Sequence, residues 1–471
     1  MGKYKYLLKN IGLLTISNFA SKLLSFFLVP LYTSVLSTKD YGTYDLFNTT
    51  ISLLIPLLTL NIFDAVLRFA LDKNTDQKQS ELFSFGCKLT FIGSLIVSAF
   101  VSLNSAVHLI PLLDQYGIFF IGMFIANAFS QLFSNFTRGL DKINDVAVAG
   151  VIATATGLLF NVWFLLGLKI GLTGYFLAGI LSGFITCFYY FIKVPLYKYL
   201  TTGNISKEFS NELLQYSVPM LLNSIGWWIN NLSDRYIVTG MCGVEANGIY
   251  SVGYKIPSIL NIFIVIFGQA WTLSAVKDFD PDDKDGFFSN MYGLYNASLV
   301  IGTSLIICVD QILAKILYAK DFYVAWKYVP LLTMASMFGA IAGYFGGVFA
   351  ACKDTKIFGN TTILGAAVNT GLNFLLVYLM GPMGAAIATV FSYFIVWILR
   401  LKAVRKYIKF KLHLFRDGSS YALLLLQTGI LTFINNLTIK YALLAVSLIA
   451  MIFLYWAETK KVFIKFVPSR R

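Results

Sequence analysis

The chain has 471 residues, 57% hydrophobic and 13% charged, with a mean hydropathy of +0.72 and a net charge of +14. A soluble domain is about 25% charged, so composition excludes a large soluble helical protein. It points instead to a polytopic all-α membrane protein. The five cysteines are dispersed without CxxC or ligand spacing, and the two histidines lie far apart. There is no Gly-rich phosphate loop of the GxxxxGK[ST] kind. These features exclude a disulfide frame, a metal site, a resident cofactor and an ATPase of the chain's own.

Apolar stretches of about 20 residues recur from end to end, each long enough to cross a hydrocarbon core of ~30 Å. Lys3, Lys5 and Lys9 lead into the first. It is too long for the core of a signal peptide and lacks a small-x-small cleavage site, so no signal peptide is expected. Fourteen spans are predicted, at about 10–36, 42–70, 82–106, 112–137, 146–168, 171–194, 213–240, 246–275, 286–310, 326–350, 358–380, 383–402, 420–436 and 441–457. With the N-terminus inside, the outer loops hold six of the 37 Lys and Arg: Lys39, Lys169, Lys315, Lys320, Lys327 and Lys440. Lys22, Arg235 and Lys255 fall inside spans, and the remainder lie on the inner side. This asymmetry predicts cytoplasmic N- and C-termini by the positive-inside rule. The charge therefore reflects topology and calls for no nucleic-acid partner. The densest basic run, 400–416, is expected against anionic headgroups of the membrane lipids. The outer loops are short, which argues against an enzyme with an external sugar-handling domain.

An internal repeat divides the chain. "YGTY" at 41–44 opens span 2 and "NGIY" at 247–250 opens span 8, an offset of 206. Asn161 matches Asn373 at an offset of 212, and the pairs Gly171/Gly174 and Gly381/Gly384 match at 210. Two parallel six-helix halves with a site at their interface is a recurring transporter plan. The predicted domains are an N-terminal six-helix bundle, 1–200, a C-terminal six-helix bundle, 201–409, and two extra C-terminal helices with a basic tail, 410–471.

Several spans carry polar stripes. In span 7, Asn223, Trp227, Asn230 and Asp234 share one helical face, and Trp228, Asn231 and Arg235 form the adjoining stripe. Asn18 and Lys22 lie on span 1. Span 2 carries Tyr41, Asp45 and Asn48, then Asp64 and Arg68 near its inner end. Span 8 carries Asn247, Ser251, Tyr254 and, beside them, Lys255. Isolated Asn and Ser residues read as interhelical glue worth ~0.6 kcal/mol per bond, and Asp64/Arg68 also reads as a structural pair. Intramembrane charges mark substrate or ion paths. Lys22, Arg235 and Lys255 outnumber the acids at similar depth, which suits an anionic cargo.

The stretches "YGTYDL", "PLLTLNIFDAVLRF" and "VPMLLNSIGWWINNLSDRYIV…NGIYSVGYKIPSIL" resemble the polysaccharide-transporter family, the flippases for lipid-linked O-antigen, capsule and exopolysaccharide units. This family belongs to the multidrug/oligosaccharidyl-lipid/polysaccharide superfamily. The family's proline-asparagine-serine run is here Leu222-Asn223-Ser224, with the following Ser-Asp-Arg intact. The resemblance implies a bacterial inner-membrane flippase for an undecaprenyl-diphosphate-linked oligosaccharide, working by alternating access. It implies drive from H+, Na+ or the membrane potential, and a polysaccharide polymerase as downstream partner. A related peptidoglycan-precursor flippase carries cations on helices 1, 2 and 8 and an acid early in helix 2. By helix position this implies Lys22, Arg68, Lys255 and Asp45. The alternative within the same fold is a cation-coupled multidrug or small-molecule exporter.

Overall fold

The computed structural model describes residues 26, 28–71, 76–200, 205–352, 354–456 and 458. Among these the regular elements are helices. α1 (Val29–Val35) closes span 1, and α2 (Thr38–Leu58) and α3 (Ile62–Ala70) form span 2. α4 (Asp76–Val107), α5 (Pro111–Gly139), α6 (Ile143–Val162) and α7 (Gly171–Lys193) are spans 3 to 6. α8 (Lys207–Cys242) is span 7, and α9 (Val244–Gly253) with α10 (Ser258–Lys277) is span 8. α11 (Phe287–Leu317), α12 (Val329–Ala351), α13 (Thr355–Met380), α14 (Pro382–Val404), α15 (Leu414–Phe433) and α16 (Leu437–Leu454) complete the series. Each predicted span from the second onward thus has a helix or a broken pair, while most of span 1 lies outside the described residues. Among the described residues ten helices suffice by length and composition to cross a membrane, or eleven if α2 and α3 are one bent span.

Two local features depart from continuous spans. α2 and α3 meet at 63°, because Leu60 and Asn61 take left-handed backbone (φ 53° and 52°) just beyond Pro56. The Asn61 side chain then donates to Asp64 Oδ2 at 2.7 Å and holds the first turn of α3. α6 ends in one π-helical turn, Trp163–Gly167.

The helices cluster into two units, one ending at Leu232 and the other beginning at Ser233, so α8 belongs partly to each. In the first unit α5 packs on α3, α4 and α7, and α6 pairs with α7. Phe47, Phe120 and Phe176 form an aromatic centre there, with ring centroids 5.0 and 5.3 Å from Phe47. In the second unit α12 packs on α10, α11 and α14, and α13 forms a hairpin with α14. The two extra helices α15 and α16 pack on α11. Buried Gln427 of α15 fastens them, donating to Ser304 of α11 at 2.9 Å and Ser447 of α16 at 2.8 Å. Asp417, 1% exposed, is held in the first turn of α15 by Arg416 and Tyr455.

The repeated residues occupy like positions in the two units. Gly171 and Gly381 open α7 and α14 with φ of 56° and 61°, a region that costs glycine little. Three residues on, Gly174 and Gly384 let each hairpin close. A Cβ would lie 2.8 Å from Phe164 Cβ at Gly174, and 2.0 Å from the Leu376 carbonyl oxygen at Gly384. Asn161 and Asn373 each donate back to the carbonyl four residues earlier, at 2.7 and 2.9 Å.

Candidate functional site

The clearest polar constellation is in the second unit. Gly243 (φ 91°) turns the chain back directly after α8, so the start of α9 runs beside the end of α8. This brings Tyr250 and Tyr254, one helical turn apart, against Asp234. Asp234 Oδ2 accepts from Tyr250 Oη at 2.7 Å and from Tyr254 Oη at 2.8 Å, and the two hydroxyls are 3.2 Å apart. Asp234 Oδ1 accepts from the backbone N–H of Arg235 at 2.9 Å and lies 3.6 Å from its guanidinium. Asp234 is 3% and Arg235 8% exposed. The guanidinium carbon lies 4.8 Å from the centroid of the Tyr254 ring, a cation–π arrangement. Two phenols therefore fill the hydrogen-bonding shell of the carboxylate, and the arginine rests on an aromatic face beside it.

Lys255 lies in the turn Tyr254–Pro257 that separates α9 from α10. Its carbonyl oxygen accepts from Ser258 Oγ at 2.5 Å. Asn247, on the face of α9 shared with Ser251 and Tyr254, is fully buried.

In the first unit the polar residues of span 2 sit among aromatic rings. Tyr175 of α7 stacks on Tyr44 with centroids 3.9 Å apart and packs on Tyr32 of α1 at 4.5 Å. Half-buried Asp45 acts electrostatically on the Tyr175 hydroxyl. Asp64 is tied to Asn61, and Arg68 stands exposed one turn further along α3. From the first part of α8, Trp228 Nε1 donates to the Thr49 carbonyl at 2.9 Å and to Ser52 Oγ at 3.1 Å. Asn230 is buried, and Asn231 donates to the Trp227 carbonyl at 2.8 Å. The stripe predicted on one face of span 7 is thus split: Trp227 is exposed while its neighbour Trp228 is buried. Asn18 and Lys22 lie outside the described residues, as does the side chain of Asn223.

The structure also brings forward residues that the sequence did not single out. Arg400 falls within the basic run expected at the headgroups, yet it is 5% exposed. Its guanidinium donates to Thr361 Oγ1, Thr362 Oγ1 and the carbonyls of Ala342 and Phe358, and stacks 3.8 Å from the Phe358 ring centroid. Four neutral acceptors on α12 and α13 thus hold it in place of a headgroup. The only sequence signal was its position: it is the first basic residue of the run, still inside the apolar period of span 12. Asn369 and Asn373 of α13 and Thr389 of α14 form a second buried polar group, linked at 2.9 and 3.4 Å. Among the described residues no group of three His, Cys, Asp or Glu could hold a metal ion.

Apolar helices of this number and length define a multi-pass membrane protein. A family model described as polysaccharide biosynthesis protein matches residues 7–272, more than half of the chain. The chain belongs to this polysaccharide biosynthesis family. Two uncharacterized membrane proteins of Methanocaldococcus jannaschii are similar in sequence. One is 21% identical over 305 residues (61% of this chain, 58% of the relative), the other 24% over 217 residues (44% and 50%). The chain therefore spans between half and three-fifths of these relatives.

Solved structures share the fold. The inward closed form of lipid II flippase MurJ matches with a TM-score of 0.67 at 15% identity, covering 96% of this chain and 99% of that one. An inward-facing multidrug resistance MATE family transporter matches at 0.65 and 14%, covering 86% and 96%. A transporter of the same superfamily from Pyrococcus furiosus matches at 0.58 and 14%, covering 89% and 98%.

Proposed function

We propose that this protein is a flippase that moves an undecaprenyl-diphosphate-linked oligosaccharide from the inner to the outer leaflet for surface polysaccharide biosynthesis. It works by alternating access in a bacterial cell membrane, with both termini cytoplasmic, and passes its product to a polysaccharide polymerase. Family membership supports the polysaccharide pathway. The observation that carries the anionic cargo is Arg235, a cation inside an apolar span, beside an acid whose hydrogen-bonding shell is filled by Tyr250 and Tyr254. A diphosphate gains far more from such a cation than from one at a wet surface, where ion pairs give ~0–1 kcal/mol. Lys22, Arg68 and Lys255 are proposed as further contacts to the diphosphate. Asp45, Asp64 and Asp234, with Asn18, Asn223, Asn230 and Asn231, are proposed to temper binding so that cargo is released. H+, Na+ or the membrane potential supplies the drive.

The test is to delete the gene, follow lipid-linked intermediates, and complement with Arg235→Ala, Lys255→Ala and Lys22→Ala. Inner-leaflet accumulation, unrelieved by any of the three folded variants, is the expected result. Three variants that fold and restore normal surface polysaccharide would remove the cations from the mechanism. A second reading, a cation-coupled exporter, draws support from the likeness to the multidrug transporter. Drug sensitivity with normal surface polysaccharide on deletion would favour it.

A further inference from the structure

Asp310 lies seven residues before the end of α11, ~10 Å along the axis at 1.5 Å per residue. Its side chain is fully buried, and neither carboxyl oxygen has a hydrogen-bond partner among the described residues. No ion pair reaches it there. A carboxylate so placed lacks the donors and the counterion that make a buried charge tolerable, and such groups neutralise instead.

The surrounding groups leave this reading intact. From α16, buried Lys440 is engaged with Gln311 Oε1 at 3.4 Å, the residue next to Asp310. Tyr323 of the 3-10 helix Lys320–Lys327 is within electrostatic reach of Asp310, and Tyr441 of α16 is within reach of Tyr323, while the charged residues of that 3-10 helix, Lys320, Asp321 and Lys327, are exposed. On α11 itself Cys308 donates to the Leu444 carbonyl, and Lys315 lies more than a turn beyond. The titratable groups of the other packed helices are at the opposite end of α11. Tyr344 of α12 bonds to Phe288, Tyr421 of α15 to Asn296, and Arg416 and Asp417 lie near Tyr421 in sequence. Lys277 ends α10 before α11 begins.

The connection beyond Asp310 braces the candidate site. Tyr318, two turns after Asp310, donates to the Val252 carbonyl at 3.1 Å, between Tyr250 and Tyr254. The 3-10 helix Lys320–Lys327 packs on α9, and the Tyr328 ring lies 5.8 Å from that of Tyr250.

We propose that Asp310 is a proton-binding site that governs this brace. It takes a proton from solvent as the α11–α12 connection seals over it and returns the proton as the connection lifts, freeing α9 with Tyr250 and Tyr254. Protonation belongs to the sealed form, so low pH favours sealing. Each pH unit between the lifted-state value and the sealed-state value shifts the balance about tenfold toward the lifted form. The link from this motion to cargo rests on the flippase reading; the proton site does not.

Two measurements on the full-length protein without cargo test it. Infrared difference spectra of wild type against Asp310→Asn are expected to show the C=O stretch of a protonated carboxyl near neutral pH. Hydrogen exchange of residues 318–328, corrected for the intrinsic rate, is expected to rise at least tenfold between about pH 6 and about pH 9 in wild type and to stay flat in Asp310→Asn. Asp310→Glu, which keeps a titrating group, should retain both signals if the Asn variant fails to fold. A carboxylate band near neutral pH, or exchange that rises equally in Asp310→Asn, overturns the proposal. Either result leaves the flippase reading standing, and normal surface polysaccharide on gene deletion would sink the flippase while leaving the proton site.

Discussion

The two units use the same repeated motif for different chemistry. In "YGTY" of the first unit, Tyr44 lies flat on Tyr175 and contributes its ring to an aromatic stack. In "NGIY" of the second, Tyr250 turns its hydroxyl to Asp234 and contributes a hydrogen bond. The difference comes from the facing helix. α7 offers the first unit another aromatic side chain, whereas α8 offers the second a buried carboxylate followed by an arginine. A repeat thus preserves backbone plan, including the glycine-sealed hairpins, while its facing side chains diverge.

The largest expected effect probes the ionic member of the pair. Asp234→Ala leaves two phenols and a buried guanidinium without their acceptor, and should cost roughly 3–5 kcal/mol, read as thermal stability of the purified protein. Asp234→Asn should recover part of it. Equal stability of the wild type and the Ala variant would mean that the second unit is as indifferent to charge as the first.

The hairpin glycines sharpen the comparison from the side of the backbone. Gly384→Ala drives a methyl group into a carbonyl and should destabilise by about 3 kcal/mol or more, whereas Gly174→Ala meets a side-chain carbon and should cost about 1–2 kcal/mol. The same thermal assay reads both. A reversed order would show that the two hairpins do not close in the way described.

Removing hydroxyls separates the roles of the tyrosines. Tyr250→Phe loses a hydrogen bond to a charged group, worth roughly 1.5–3 kcal/mol. Tyr175→Phe keeps its stack on Tyr44 and should lose about 1 kcal/mol or less. A Tyr175 variant as damaging as the Tyr250 variant would make the first-unit cluster polar in function as well.

The smallest effect lies outside the spans. Lys409 holds the Asp282 carboxyl below its ordinary value of 3.8, through a hydrogen bond and its charge, and is itself raised above 10.5. The pair therefore contributes above the unfolded value of the acid and below that of the amine. The contribution is lost as pH falls through the Asp282 value or rises through that of Lys409. Both side chains are exposed, so the unfolding midpoint of Lys409→Ala should overlay the wild type across mid-range pH. A clear separation there would mean that the backbone bond from Lys409 to Pro281 depends on the side chain.

The sequence by itself determined the class and the order of the apolar helices from the second span onward, because these follow from apolar run length. It also brought Asp234 and Arg235 to notice, since a charge inside an apolar run stands out at once. Only the tertiary structure decided what those charges meet. Tyr250 reaches Asp234 because Gly243 reverses the chain, and Arg400 is buried because Thr361, Thr362 and two carbonyls surround it. The break between α2 and α3 was equally hidden, since left-handed Leu60 and Asn61 carry no glycine to announce it. Apolar periodicity records which residues avoid water, a one-dimensional property of each helix. Partners across helices depend on the rotation and axial shift with which two helices pack, and periodicity specifies neither.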